Sequence, residues 1–313
     1  MKRRPRGIAL LTAVILVALA AALATAIGFK SAMTARRAIG VFTVAQGLQF
    51  GAGAEAMAAY MLKQDVSNTQ DTLADDWAMP YGPTELDAGV TLEANLEDQQ
   101  SKFNLNNLYN PKDGSIDATS LEEFERLLTL LGLETKWATL LADWIDADGN
   151  PSYPDGAEDT VYLALSPAYR TPNMPITSVS ELLALPGFGR DRYDKLAPYV
   201  AALPPGTAIN VCTAYGVVLD ALTAGRQEFS LDEKKLKDER AMGCFPTADQ
   251  FKATLSETQL AGFQNTRIAE KTQYFRLRSW ITIGTTEFTL YSLLHRDSQG
   301  GRVSLVLRTF GTE

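Results

Sequence analysis

The sequence contains a single histidine, His295, among its 313 residues, and this scarcity argues against most hydrolytic machinery. A serine or cysteine nucleophile would need that one imidazole as its base. His295 instead falls within a predicted strand, where we expect a half-exposed structural side chain. A glycine-rich loop that could cradle phosphates is also missing from the sequence. We therefore predict that the chain is not an enzyme.

Cysteine is almost as scarce, with only Cys212 and Cys244 in the chain. Neither belongs to a CxxC pair or to a cluster that could bind zinc. An even number of cysteines in an exported protein is compatible with one disulfide, and two buried free thiols are the alternative. Gly243 and Pro246 beside Cys244 indicate a surface loop, which favours the disulfide. Closing a loop of this length would contribute roughly 3–4 kcal/mol in the chain-entropy model.

Positive charge is in short supply, since 29 lysines and arginines face 37 aspartates and glutamates for a net charge of −8. Four of the basic residues, Lys2, Arg3, Arg4 and Arg6, precede the first apolar run, so the remainder is more acidic still. An acidic body repels phosphate backbones and lacks the basic surface of a nucleic-acid-binding protein. It does suit divalent cations. The composition therefore excludes nucleic acid as a partner.

Charge is absent from residues 8–29, which are long enough to span a bilayer with the basic residues on the cytoplasmic side. Three interpretations are open. The segment could be a secretory signal cut near Ala18 and Ala20, or an uncleaved anchor. Alternatively, it follows a short basic prepilin-type leader that ends at Gly7, with cleavage before Ile8. Cleavage there would preserve the membrane helix.

Residues 30–65 contain no proline, are rich in alanine and can form an apolar helical stripe. We therefore expect one continuous helix of more than 50 residues, half in lipid and half packed on a globular head. That architecture resembles a type IV pilin. A membrane helix followed by a separate amphipathic helix is the alternative.

Thr12 would be the fifth residue of a mature chain that begins at Ile8. Most pilin-type subunits have a glutamate there, and its carboxylate neutralises the buried N-terminal ammonium of a neighbouring subunit. A chain with Thr12 cannot make that contact to a subunit ahead of it. This departure fits a position at the tip of a fibre.

The rest of the sequence alternates between turn-rich, helical and strand-like segments. Residues 64–89 read as an irregular connection and residues 90–96 as a short strand. Helices are predicted at residues 120–132 with Ser120 as N-cap, at 135–145, from 180–185 onward and at 207–224. Residues 274–283, 286–294 and 302–310 are rich in β-branched and aromatic side chains and predict three antiparallel strands.

This order predicts an α+β protein with a pilin-like fold, in which a long N-terminal membrane helix and an antiparallel sheet carry a large inserted all-α domain. The expected boundaries are a leader at 1–7, the transmembrane part of the helix at 8–29, the rest of the pilin helix with the connection and first strand at 30–103, the inserted α-helical domain at 104–265, and the C-terminal strands at 266–313.

Residues 178–200 have the spacing of a helix-hairpin-helix, with a glycine-rich turn at residues 185–189. Such turns can present backbone N–H groups to DNA phosphates. Because the surroundings are acidic, we interpret this segment as a structural helical hairpin.

The densest group of oxygen donors lies between residues 143 and 159. Calcium takes six to eight oxygen ligands, and alternating donors on a turn can supply them. The spacing does not match an EF-hand. A solvated acidic loop is the alternative. We predict a calcium site whose ligands are Asp146, Asp148, Asn150, Glu158 and Asp159.

Together, short motifs along the chain resemble the large minor pseudopilin of type II secretion systems, general secretion pathway protein K. The motifs are the Gly7/Ile8 junction, Thr12, Gly53-Ala-Glu-Ala56, Leu96-Glu-Asp-Gln-Gln-Ser-Lys-Phe-Asn-Leu-Asn-Asn-Leu108, Asp143-Trp-Ile-Asp146, Gly156-Ala-Glu-Asp159, Ser180-Glu-Leu-Leu183, Leu185-Pro-Gly-Phe188 and Ile209-Asn-Val-Cys-Thr-Ala214. Residues 225–265 match least.

The resemblance implies cleavage by a prepilin peptidase, N-terminal methylation and a single-pass position in the inner membrane with the globular part in the periplasm. It also implies a tip complex with the minor pseudopilins I and J, and calcium bound in the region of residues 146–159. Family members commonly have asparagine where this chain has Cys212, so a disulfide to Cys244 would be particular to this sequence. A membrane-tethered or secreted calcium-dependent binding protein or enzyme, outside any secretion system, is the alternative function.

Overall fold

The computed structural model describes residues 6–65, 69–297 and 301–311, and its first element is one long helix, α1, spanning Arg6–Gln64. The predicted continuous helix is thus confirmed. Its alanine-rich, proline-free sequence meets no residue that would break the helical backbone. Gly7 and Ile8 lie at its beginning, whereas residues 1–5 of the predicted leader lie outside the described residues.

The first half of α1 is apolar and exposed along its whole circumference. Within the described residues it is the one helix long and apolar enough to cross a membrane, and none of its most apolar window is buried in the protein. Thr12 lies in this part, and its hydroxyl donates to the Ala9 carbonyl at 3.0 Å, so the polar group is satisfied within the helix. This half of α1 fits a single-pass membrane anchor.

The second half of α1 packs against a sheet, with Ala54, Ala58 and Leu62 buried in the contact. The close approach needs glycine at Gly51, where an added β-carbon would lie 2.5 Å from the Leu290 Cδ2 atom. Gly47 also faces the sheet, where an added β-carbon would lie 3.1 Å from the Phe288 Cδ2 atom. These two glycines, which would weaken an isolated helix, therefore let α1 lie close to the sheet.

The sheet has five strands in the order β1-β2-β7-β8-β9, and every neighbouring pair is antiparallel. Its strands are β1 (Tyr81–Asp87), β2 (Val90–Asp98), β7 (Tyr274–Ile283), β8 (Thr286–Arg296) and β9 (Val303–Phe310). The four strands predicted from sequence are confirmed. The inner face of the sheet and α1 enclose one hydrophobic core, which includes Trp77 and Phe275. We call this unit the head.

Strand β1 corrects the prediction of an irregular connection over residues 64–89. Gly82 and Pro83 are turn-forming residues, so the sequence predicted a turn where the structure has a strand. The structure tolerates Pro83 because β1 is an edge strand, paired only with β2 and with register shifts along it.

The chain between β2 and β7 forms a mainly helical block with its own larger core. Its helices are α2 (Ala118–Leu130), α3 (Lys136–Ile145), α4 (Asp159–Tyr162), α5 (Gly189–Leu196), α6 (Gly216–Ala221), α7 (Glu233–Arg240), α8 (Ala248–Ala253) and α9 (Glu257–Gly262). Two pairs of two-residue parallel strands accompany them, β3 (Phe103–Asn104) with β4 (Val200–Ala201) and β5 (Ile209–Asn210) with β6 (Ile268–Ala269). The block is therefore inserted between two adjacent strands of the head.

Two predicted helix starts within the block are wrong. Helix α2 begins before Ser120, because Asp117 is its N-cap and accepts from the Ser120 amide at 2.9 Å. The helical unit expected over residues 207–224 begins only at Gly216, because Ile209 and Asn210 pair with β6 instead. In the first case a better-placed residue caps the helix, and in the second case strand pairing delays the start of the helix.

The helical hairpin at residues 178–200 is present in modified form. Its first arm is a 3-10 helix, Val179–Ala184, which starts with a capping box formed by Ser178 and Glu181. Its second arm is α5, and Phe188 in the turn between them is fully buried. The hairpin thus contributes to the core of the block.

Candidate metal centre

The acidic loop after α3 brings three of the predicted ligands together. Carboxylate oxygens of Asp146, Asp148 and Glu158 lie within 4.8 Å of one another. Asp146 is the C-cap of α3 and Glu158 is the N-cap of α4, so two helix ends place these side chains. The loop between them folds back so that Asp148 joins the pair. The arrangement concentrates negative charge at one point.

Burial makes this concentration costly. Asp146 is 5% exposed and Glu158 is 2% exposed, and one oxygen of each is buried without a hydrogen-bond partner among the described residues. Burial and the charges of Asp148, Asp143 and Glu158 raise the pKa of Asp146 to about 7. Burial likewise raises the pKa of Glu158. Buried carboxylate oxygens without a hydrogen-bond donor are expected where a bound cation completes the site.

Asp143 belongs to the same site, although it was not among the predicted ligands. It is fully buried on α3, its Oδ2 atom accepts from the Ser152 amide at 2.9 Å, and its Oδ1 atom has no partner among the described residues. Gly156 packs directly on it, because a β-carbon there would overlap both Asp143 and Ser152. The spacing of Asp143 and Asp146, one helical turn apart, was the signal available in the sequence.

The other two predicted ligands are placed differently. Asn150 is exposed, and its backbone amide donates to Asp148 Oδ1 at 2.7 Å. Asp159 is outside the group of three carboxylates, since its Oδ2 atom pairs with Arg170 at 2.5 Å and its Oδ1 atom accepts from Thr171. Asp159 therefore fixes the segment that follows α4.

Asn173 is a residue that sequence reasoning missed. It has a φ of 49°, donates from Nδ2 to the Asp148 carbonyl at 2.8 Å, and leaves its buried Oδ1 atom without a partner among the described residues. A local motif search could not find it, because only the fold brings it to the loop. Its amide oxygen is an uncharged candidate metal ligand beside the carboxylates.

The candidate ligand atoms of this site are all oxygens, which hard cations such as calcium prefer. Asp146, Asp148 and Glu158 would hold the ion, with Asp143 and Asn173 beside them. A cation there would relieve the repulsion among the carboxylates and supply the missing partners. The residues present therefore fit a divalent cation.

A second acidic group, Asp65, Asp71 and Asp75, also has oxygens within 4.8 Å of one another. Here the positive charge comes from the protein. The Arg296 guanidinium donates to Asp71 Oδ1 at 2.6 Å and to Asp65 at 3.2 Å. Asp75 accepts from the Thr72 amide. This group joins the end of α1 to β8 and gives no reason to expect a metal ion.

Cys212 and Cys244 are bonded to each other in the structure, with their Cα atoms 4.5 Å apart. Cys212 lies two residues after the end of β5 and is fully buried, and Cys244 precedes α8. The bond joins the segment before residues 225–265 to the interior of that least typical segment. Its formation in the cell stays a prediction.

A membrane helix packed on an antiparallel sheet, with a helical block inserted between two strands, defines a pilin-like membrane-anchored subunit. Residues 101–205 match the family model described as "Type II secretion system (T2SS), protein K". The type II secretion system protein K of Pseudomonas aeruginosa is 33% identical over 326 residues, which cover 99% of this chain and 94% of that relative. The Klebsiella pneumoniae protein of the same name is 32% identical over 99% of this chain and 96% of its own length.

A solved structure agrees with these relatives. A chain from the crystal structure of the GspK-GspI-GspJ complex of enterotoxigenic Escherichia coli is 28% identical and has a TM-score of 0.76, covering 88% of this chain and 100% of that chain. The present chain belongs to the protein K family of type II secretion systems. It is a minor pseudopilin, a structural component of the secretion apparatus.

Proposed function

We propose that this chain occupies the tip of a pseudopilus and there forms a complex with minor pseudopilins of types I and J. The observation that carries the proposal is the structural match, over 88% of this chain, to one chain from the crystal structure of a GspK-GspI-GspJ complex. Thr12 supports it, because a subunit without a glutamate at that position cannot neutralise the N-terminal ammonium of a subunit ahead of it. The function is assembly, and we propose that no catalysis is involved.

The proposed location is the inner membrane, with residues 8–29 in the bilayer and the head and helical block in the periplasm. The basic residues before Ile8 support this orientation, since positive flanks remain on the cytoplasmic side. A prepilin peptidase would then cut between Gly7 and Ile8 and leave α1 attached to the head. Methylation of the new N-terminus would follow.

The processing step can be tested on the full chain co-expressed with a prepilin peptidase. We expect a membrane-bound product that begins at a methylated Ile8, measured by intact mass. Gly7→Ala should block cleavage and secretion, because a side chain there would obstruct the scissile bond. Gly28→Ala is the matched control, since a β-carbon at Gly28 meets nothing within 4 Å. Normal cleavage of Gly7→Ala, or a soluble product that begins beyond residue 18, would contradict the proposal.

We also propose that calcium binds at Asp146, Asp148 and Glu158 and stabilises the helical block. The support is the set of buried oxygens without partners and the mutual repulsion of the carboxylates. An ion bound only to the folded state raises the free energy of unfolding, by roughly 2.7 kcal/mol at a hundredfold excess over its Kd.

Thermal unfolding with and without a calcium chelator tests the calcium proposal. The Tm of the wild type should fall on chelation and recover with added calcium. Asp146→Asn should remove most of this response, because it removes a buried carboxylate charge. Asp155→Asn, on the exposed part of the same loop, should respond as the wild type does. A Tm that is indifferent to chelation would show that the loop binds no calcium.

A further inference from the structure

A separate cavity of about 270 Å³ opens on the helical block, between the C-terminal half of α2 and the turn that follows α6. A volume of this size is far above the roughly 10–15 Å³ that one buried water needs. Its wall consists of Arg126, Thr129, Leu130, Asp220, Thr223, Gly225, Arg226 and Gln227. None of these residues belongs to the acidic loop or to the membrane helix.

Two residues of the wall have buried hydrogen-bond donors that find no acceptor in the part of the chain that the structure describes. Thr223 is 4% exposed and the Arg226 side chain is 6% exposed. The Thr223 hydroxyl and the Arg226 Nη1 atom are both buried without a hydrogen-bond partner among the described residues. Buried polar groups in folded proteins are nearly always paired, and an unpaired guanidinium nitrogen is especially costly. The site therefore lacks an acceptor.

The rest of the Arg226 guanidinium is firmly held. It stacks 4.6 Å from the ring centres of both Phe229 and Phe251. Its Nη2 atom donates to Glu228 and to the Thr254 hydroxyl, at 2.8 Å each. These contacts fix the orientation of the group and leave Nη1 as its unused side. Such preorganisation lowers the entropic cost of binding a ligand.

Each of the two guanidinium groups at the cavity has a nearby carboxylate, so the unpaired hydrogen-bond donors, and not a net positive charge, favour an anion. Arg126 brings a second guanidinium, anchored by a 2.8 Å bond from Nε to the Ala221 carbonyl and only 3.5 Å from the exposed Glu122 carboxylate. Asp220 is the one carboxylate in the wall. Its oxygens already accept from three consecutive backbone amides, at residues 228–230, so they stabilise that turn.

We propose that this cavity is a binding site for a small oxyanion, either a carboxylate or a tetrahedral phosphate or sulfate. Such a group offers several acceptor oxygens close together, which matches an unpaired guanidinium nitrogen beside an unpaired hydroxyl. Neither a cation nor an apolar ligand would supply the missing acceptors. The inference is independent of calcium binding and of the position at a pseudopilus tip.

Isothermal titration of the full chain in detergent tests the site. Sodium phosphate, sulfate and acetate are added separately, with ionic strength held constant by chloride. We expect saturable binding of at least one of the three with a stoichiometry near one. Phosphate or sulfate binding would indicate a tetrahedral ligand, and acetate binding would indicate a carboxylate such as that of a protein side chain.

Matched variants connect the binding to the cavity. Thr223→Val removes the hydroxyl at nearly constant volume and should weaken binding at least tenfold, whereas Thr223→Ser should bind as the wild type does. Arg226→Met keeps an apolar stem between the two phenylalanine rings and should abolish binding. Circular dichroism checks that each variant is folded. No saturable binding by the wild type, or equal binding by Thr223→Val, would overturn the proposal.

Discussion

At the scale of single residues, buried polar side chains account for motifs that the sequence offered only as a resemblance. Glu55, from the Gly53-Ala-Glu-Ala56 motif, is buried on α1 and binds the Arg308 guanidinium of β9. It also accepts from the Ser292 hydroxyl of β8 at 2.5 Å. This one carboxylate therefore fixes the rotation of α1 against two strands. In the sequence Glu55 is an ordinary helix-favouring residue, whereas in the structure it holds α1 against the sheet.

Glu123 on α2 is another buried carboxylate, and it gives a pH prediction. Burial raises its pKa to about 7 from an ordinary 4.5, although the Thr266 hydroxyl donates to it at 2.6 Å. The folded protein therefore binds a proton between pH 4.5 and 7 that the unfolded chain has released. Glu123 thus lowers the free energy of unfolding progressively as pH rises through this window.

Glu123→Gln should remove this dependence, because the amide has similar shape and no charge. Relative to the wild type, the variant should gain on the order of 2–3 kcal/mol between pH 5 and pH 8. Urea unfolding at the two pH values measures the difference. Glu122→Gln is the control, because the Glu122 side chain is 71% exposed. A constant difference between variant and wild type would show that Glu123 does not titrate in this range.

At the scale of elements, asparagine side chains extend the connection between segments beyond the short backbone pairing of β3 with β4. Asn106 donates to the Ile176 and Leu203 carbonyls at 2.8 and 2.9 Å and accepts from the Ile176 amide at 2.8 Å. Asn104 and Asn107 do the same for residues 203–207. All three are buried. The repeated asparagines of this segment therefore act as fixed connectors of the block.

Asn106→Ala should cost roughly 3 kcal/mol, because three hydrogen bonds are lost and buried backbone groups are left without partners. Denaturant unfolding followed by circular dichroism measures the loss. Asn110→Ala provides the comparison, since among the described residues that side chain accepts from the nearby Lys112 amide alone, at the surface. We expect a cost there of about 1 kcal/mol or less. Equal losses at both positions would refute the connector role.

At the scale of the whole molecule, two hydrophobic cores meet at a buried polar junction. Asp98 ends β2 and accepts from Thr213, Thr272 and Asn210 side chains. Asn210 also donates to the Asp71 carbonyl at 3.1 Å. Asp98 and Thr272 lie where the chain enters and leaves the helical block, whereas Asn210 and Thr213 belong to the block itself. The junction therefore couples the head to the block.

Asn210→Ala should weaken this coupling, so that the head and the block unfold in two separable steps. The four tryptophans allow the measurement, because Trp77 and Trp280 lie in the head while Trp137 and Trp144 lie in the block. Replacing either pair by phenylalanine leaves fluorescence reporters in one part only. Asn95→Ala, on an exposed position of β2, should leave the two reporters coincident. Coincident transitions in Asn210→Ala would contradict the prediction.

Sequence determined the parts of this protein that depend on local chemistry. The uncharged run at residues 8–29 determines a membrane-length helix, and the β-branched and aromatic side chains of residues 274–310 determine strands, because length and composition select these states. The acidic loop could also be predicted, because its carboxylates are close together in the sequence. Together with short ordered motifs, these features were enough to indicate the family.

Only the tertiary structure decided what distant residues do for one another. It placed Asn173 at the loop, turned Asp159 away to Arg170, and paired residues 81–87 with β2 despite Pro83. It also brought Arg226 and Thr223 to a cavity shared with α2. The physical reason is that burial and hydrogen-bond partners come from chain segments far apart in sequence. A local sequence pattern shows which polar groups a residue has, whereas the fold decides which of these groups find a partner within the protein and which can bind a ligand.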